Sequence, residues 1–172
     1  MLKVLGAVLI LMATSKLGFD SARQLRKRPR QIQELRSGLA ILKTEINYGT
    51  RPLAEAFERI AEAASGELKP VFLEAGRNLK SSDGKSTYEC LKKAIEDKWK
   101  KTVMGEEEKG IVLKLCQVLG SSNRSDQLHH LDLAQENLQM EENKAREEQE
   151  TYEKMVKTLG VLSGALLVIL MF

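Results

Sequence analysis

Hydrophobic residues through the middle of the chain recur at helical rather than strand spacing. Between 31 and 48 they fall at Ile32, Leu35, Leu39, Leu42 and Ile46, steps of three and four that line one face of a helix. Tyr48-Gly49 closes that stretch, and Pro52 opens the next, because a proline in a first turn forfeits no hydrogen bond. Leu53, Ala56, Phe57, Ile60 and Ala64 form the second apolar face, which stops at Ser65-Gly66. Pro70 marks a third start, with Leu68, Phe72, Ala75 and Leu79 on one side. KSSDGK, residues 80–85, reads as a loop. Ser86 and Glu89 then stand at capping-box spacing for a fourth helix carrying Tyr88, Leu91, Ala94, Ile95 and Trp99. Gly105 separates it from a fifth. There Glu106, Glu107 and Glu108 crowd the first turn, where the helix dipole favours anions. Its inward face is Ile111, Val112, Leu115, Cys116 and Leu119. GSSNRSD, residues 120–126, is a second loop, with Asp126 expected to cap the sixth helix.

The sixth helix has a different pattern. Leu131, Leu138, Ala145, Tyr152 and Leu159 recur every seventh residue, with Ala134, Met155 and Leu162 as a second row. Between Gln139 and Thr151 almost every position is polar. The carboxylate pairs Glu141-Glu142 and Glu147-Glu148 are therefore expected on a solvated connecting helix. A faint internal echo aligns Glu55-Ala56-Phe57 with Glu89-Cys90-Leu91, each behind a glycine turn, and suggests two three-helix units. The fold class implied is all-α: a compact domain of about six helices.

Two apolar runs flank that domain. Val4 to Ala13 is uncharged, with apolar character continuing to Phe19, and Leu159 to Phe172 is fourteen residues without a charge. Arg23, Arg26, Lys27, Arg28 and Arg30 follow the first run, and Lys144, Arg146, Lys154 and Lys157 approach the second. Positive residues stay on the cytoplasmic side of a span. The expected topology is thus a hairpin, with both ends outside and the bulk of the chain in the cytoplasm. The expected division is a transmembrane helix at 1–22, a basic juxtamembrane segment at 23–30, the bundle at 31–138, a polar connecting helix at 139–157 and a second transmembrane helix at 158–172. The basic segment is expected to meet anionic lipid headgroups. Both spans are short: fifteen residues make about 22 Å of helix against a hydrocarbon core of about 30 Å. Gly160 and Gly164 form the G-x-x-x-G spacing that lets membrane helices pack closely. An alternative reading of the N-terminal run is a cleaved signal peptide on a secreted helical protein: Lys3, ten apolar residues, then small residues near Ala13.

Charge sharpens this picture. The whole chain has 27 basic and 24 acidic residues, a net of +3, yet residues 31–154 hold 19 basic against 23 acidic, a net of −4. The basic excess lies at the ends and not on the middle, which argues against nucleic acid as a partner. Cys90 and Cys116 belong to no metal or redox motif and are expected as reduced core residues. No catalytic constellation is present. GSSNRSD lacks the second glycine and the lysine of a phosphate-binding loop. His129 and His130, the only histidines, are adjacent and so point about 100° apart on a helix. No enzyme activity, cofactor or metal is expected.

Several segments, in order, resemble one family. They are Leu5-Gly6-Ala7, Arg28 to Ile32 (RPRQI), and Glu45 to Leu53 (EINYGTRPL). Further ones are Ala56 with Arg59-Ile60-Ala61, Asp97 with Trp99-Lys100, Arg124-x-x-Gln127-x-x-His130, and Lys157 to Gly160 ahead of the aliphatic tail. The chain resembles the stage III sporulation protein AB family of endospore-forming bacteria, nearly end to end. That resemblance implies a protein of the mother-cell membrane (the outer forespore membrane), within a sporulation-specific, secretion-like complex joining mother cell and forespore. The family's cytoplasmic domain is similar to the all-helical domains of inner-membrane platform proteins in type II secretion and type IV pilus systems, which are built from related three-helix halves. A non-enzymatic platform or adaptor is implied. Its partners would be a cytoplasmic ATPase, stage III sporulation protein AA, and other membrane proteins of the complex. Platform proteins usually carry two such domains, so a single one is expected to do part of that job or to work as a homo-oligomer. The candidate contact surface is the turn bearing Tyr48 and Arg51 with neighbouring Glu55, since exposed turns on rigid scaffolds often carry contacts.

Overall fold

The computed structural model describes the backbone of residues 26–49 and 51–171, with side chains through 156 and at Leu159. Six helices account for nearly all of it, and no strand occurs among the described residues. They are α1 (described over 26–48), α2 (Leu53–Ala63), α3 (Lys69–Lys80), α4 (Thr87–Lys98), α5 (Glu106–Cys116) and α6 (Arg124–Met171), with a 3-10 turn at Trp99–Lys101. The all-α expectation therefore holds. The two expected transmembrane segments fall outside the described residues, save for the helical backbone of 158–171 and the Leu159 side chain. Among the described residues no helix is long and apolar enough to cross a membrane.

The chain divides into two compact units, one of them Arg28–Asn143. Its helices start where local chemistry dictates. Pro52 precedes α2 with φ −57°, and Pro70 sits in the first turn of α3. At α4 the capping box is complete: Ser86 Oγ accepts from Glu89 N (3.2 Å), and Glu89 Oε2 accepts from Ser86 N (2.8 Å). The bonds from the Ser86 backbone N–H and hydroxyl hold the Glu89 carboxyl below its ordinary pKa. The α6 start departs from expectation. Asn123, not Asp126, is the cap: its Oδ1 accepts from Asp126 N and its Nδ2 donates to Asp126 Oδ2, both at 2.9 Å. Asp126 sits three residues inside, where it returns the bond.

Successive helices run antiparallel. The start of α1 meets the far ends of α2 and α4. Gln31 Nε2 donates to Glu67 (3.1 Å), Gln31 Oε1 accepts from Val103 N (2.9 Å), and Glu34 accepts from Ser65. α6 runs back along α1: Lys43 pairs with Asp132, Gln135 donates to the Arg36 carbonyl, and Arg36 reaches Glu142 and Gln139. The stripe Ile32, Leu35, Leu39 and Leu42 is buried, as are Ile60, Phe72, Leu91 and Leu138, and Leu35, Leu39 and Leu42 face the same apolar interior as Phe72 and Leu91. Each fully buried Leu or Ile adds roughly 1.5–3 kcal/mol of apolar transfer. Gly38 lets α1 come close: a Cβ there would lie 2.9 Å from both Ile60 Cγ2 and Phe72 Cζ. Cys90 and Cys116 are buried and free, as expected, and burial pushes the Cys116 thiol up to about 12.

Two further readings are corrected. The polar stretch after Gln139 is not uniformly solvated: Glu141, Glu142 and Ala145 are buried. Glu142 takes the Arg36 guanidinium at 2.6 Å, and Glu141 lies 3.7 Å from Arg28. Glu147 and Glu148 are exposed, as the pattern implied. The internal echo is real in register, with buried Ala56, Phe57, Ile60 and Ala61 of α2 matched by Cys90, Leu91, Ala94 and Ile95 of α4 at a constant offset. It aligns α2 with α4, however, so it describes two successive helix pairs, α2–α3 and α4–α5, and not three-helix halves.

The second unit comprises the remaining residues at both ends of the chain. Within it Arg26 Nε pairs with Glu153 at 3.0 Å, and Met155, Val156 and Leu159 present exposed apolar side chains.

Candidate functional site

A cleft in the bundle surface lies where α1 ends, α2 begins and α6 begins. α1 closes with Gly49 N donating to Glu45 O (2.8 Å), so tightly that a Cβ at Gly49 would overlap that carbonyl. Only glycine fits there. The Pro52 carbonyl then receives Glu55 N and Ala56 N, which turns the chain into α2. From the other side, Gln127 Nε2 donates to Ser122 O (2.8 Å) and fastens the loop ahead of α6. Between them is a cleft of about 210 Å³, with Glu45, Ile46, Leu53 and Ala56 in its walls and Arg51, Arg124 and Gln127 at its polar side.

Its electrostatics are lopsided. Glu45, largely buried, gives its charge to Arg59 at 2.5 Å. Arg51 and Arg124 are exposed, and among the described residues neither makes an ion pair. Ile46, expected in the core stripe, is only half-buried because it lines this cleft. The cleft thus carries two exposed arginines beside the apolar Ile46, Leu53 and Ala56, a fit for carboxylates.

The expected contact residues divide. Arg51 lines the cleft, Tyr48 beside it is 81% exposed, and Glu55 is exposed on the first turn of α2 without lining the cleft. Arg124 and Gln127 were not assigned a role from sequence. Their i, i+3 spacing puts both on one helix face, but nothing local said that this face would meet residues 45–53. His130, third in the same motif, is exposed and does not line the cleft.

The basic cluster is not one surface either. Lys27 and Arg30 are exposed and Arg26 pairs with Glu153, whereas Arg28 turns inward. Its Nε lies 2.9 Å from Glu108, which is fully buried and also accepts from Gly105 N at 2.7 Å. Arg28 is therefore a structural tie between α1, α5 and α6, which corrects its assignment to lipid headgroups. Arg23, Gly160 and Gly164 lie outside the described residues. No group of three or more His, Cys, Asp or Glu among the described residues is placed to share a metal ion.

The comparisons agree with one another. The stage III sporulation protein AB family matches residues 3–172. Stage III sporulation protein AB of Bacillus subtilis (strain 168) is 36% identical over 172 residues, covering 99% of each chain. A solved structure of stage III sporulation protein AB aligns with a TM-score of 0.69 at 27% identity, over 73% of this chain and 98% of that one. The chain belongs to the stage III sporulation protein AB family.

Proposed function

We propose that the chain is a membrane-anchored, non-catalytic adaptor of a sporulation-specific, secretion-like complex between mother cell and forespore. In this reading the apolar runs at 1–22 and 158–172 are transmembrane helices that fix the protein in the mother-cell membrane. The helical bundle stands on the cytoplasmic side and offers a surface to a cytoplasmic ATPase, stage III sporulation protein AA, and to membrane proteins of the same complex. The observation that carries the reading is the arginine-lined cleft at the α1–α2 and α6 end, a shaped, charged surface whose two guanidiniums no described residue neutralises. The exposed Met155, Val156 and Leu159, leading into an uncharged tail, support the lipid-facing part.

A pull-down tests the proposal. The full chain, purified in detergent micelles, is expected to retain the ATPase, more strongly in one nucleotide state than in another. Absence of binding with ATP, with ADP and without nucleotide would sink the adaptor role. Mass spectrometry of the mature chain separates this reading from the secreted one, which loses residues near Met1 to Ala13 on cleavage.

A further inference from the structure

We infer that the cleft between the α1–α2 turn and the start of α6 is a carboxylate clamp, docking an acidic segment of a partner protein between Arg51 and Arg124. Two segments far apart in sequence converge on it: Glu45, Ile46, Gly49, Arg51 and Leu53 from one, Arg124 and Gln127 from the other. Charge favours an anion. Residues 31–154 are acidic on balance, at 19 basic against 23 acidic, yet this cleft is locally positive. Its one lining carboxylate, Glu45, is bound to Arg59, so it does not neutralise the two arginines. Shape favours a single side chain. About 210 Å³ accommodates one acidic side chain, and Ile46, Leu53 and Ala56 in the wall offer apolar contact to its methylene groups. An anchor stands beside the cleft. Tyr48, 81% exposed at the rim turn, is the residue type that, with arginine, dominates interface energetics. The backbone near each arginine is tied: Gly49 N donates to the Glu45 carbonyl at the α1 terminus, and Gln127 bonds the loop before α6. An acidic stretch flanked by an apolar or aromatic residue is the partner these features fit. The occupant's being a protein rests on the adaptor reading; the chemistry of the cleft does not.

The test uses the full chain in detergent micelles and a fluorescein-labelled hexaglutamate peptide, read by fluorescence anisotropy. Wild type is expected to bind with an affinity that falls as salt rises. Arg51→Glu/Arg124→Glu is expected to weaken binding by about tenfold or more. Arg77→Glu, which reverses an equally exposed arginine in the last turn of α3, serves as the comparison and should leave affinity within about twofold. Far-UV circular dichroism establishes that both variants stay folded, as expected for exposed positions. No binding by wild type, or equal losses in the two variants, overturns the clamp. The same variants in the ATPase pull-down separate the two proposals. Peptide binding that depends on Arg51 and Arg124 without any ATPase binding keeps the clamp and removes the adaptor role. ATPase binding and hexaglutamate binding both unchanged by the double reversal remove the clamp and keep the adaptor.

Discussion

Single residues show how closely the helices are fitted. Gly38 and Gly110 are both helical glycines, and composition treats them alike. Around Gly38 a methyl group would press into Ile60 and Phe72, whereas around Gly110 nothing lies within 4 Å. Replacing a helical glycine by alanine removes unfolded-chain entropy, worth roughly 0.5–1 kcal/mol, wherever the site has room. Gly110→Ala should therefore stabilise the bundle by about that amount. Gly38→Ala should destabilise it by about 1–3 kcal/mol, because overpacking forces neighbours out of their rotamers. Urea melts of the full chain in micelles, followed at 222 nm, check both signs at once; the same sign for both variants would contradict the packing described.

At the scale of elements, the helices were legible because their signals are local. Pro52, Pro70, Ser86 with Glu89, and Gly105 mark starts through groups at most a few residues away. The seam of α1 with α5 and α6 was not legible. A run such as Glu141-Glu142 looks solvated until Arg28 and Arg36, more than a hundred residues earlier, arrive beside it. The cleft was half legible for the same reason: the 45–53 turn announces itself, but its partner Arg124 comes from a distant segment. The seam carries a testable cost. Arg28→Met leaves the fully buried Glu108 carboxylate with the Gly105 N–H but without its guanidinium. Removing one member of a buried pair costs about 3 kcal/mol or more. Arg28→Met/Glu108→Gln removes the stranded charge as well and should recover roughly half of that loss. A double variant no more stable than Arg28→Met would show that the pair is not coupled.

For the whole molecule, the governing question is whether the tail crosses lipid. The stretch Thr158–Phe172 spans about 22 Å as a helix against about 30 Å of hydrocarbon, so a span requires Lys154 and Lys157 to extend toward the headgroups or the bilayer to thin. Energetically it is favourable by a modest margin. Eight Leu, Val and Ile residues lie from Leu159 to Leu170, and each contributes about −0.3 to −0.6 kcal/mol at the centre of a span, a few kcal/mol in all. One arginine at that centre costs about 2.5–3.5 kcal/mol, enough to offset most of the gain. Leu166→Arg should therefore expel the tail where a longer segment would tolerate it. The readout is a thiol at the tail's end, Met171→Cys, probed with a membrane-impermeant maleimide on sealed vesicles whose bundle faces inward. The native thiols add little background, since Cys90 and Cys116 are buried and burial keeps Cys116 protonated. Met171→Cys alone should label from outside, and Met171→Cys/Leu166→Arg should label only after the vesicles are opened. If neither chain labels from outside, the tail does not span, and the transmembrane reading of 158–172 falls.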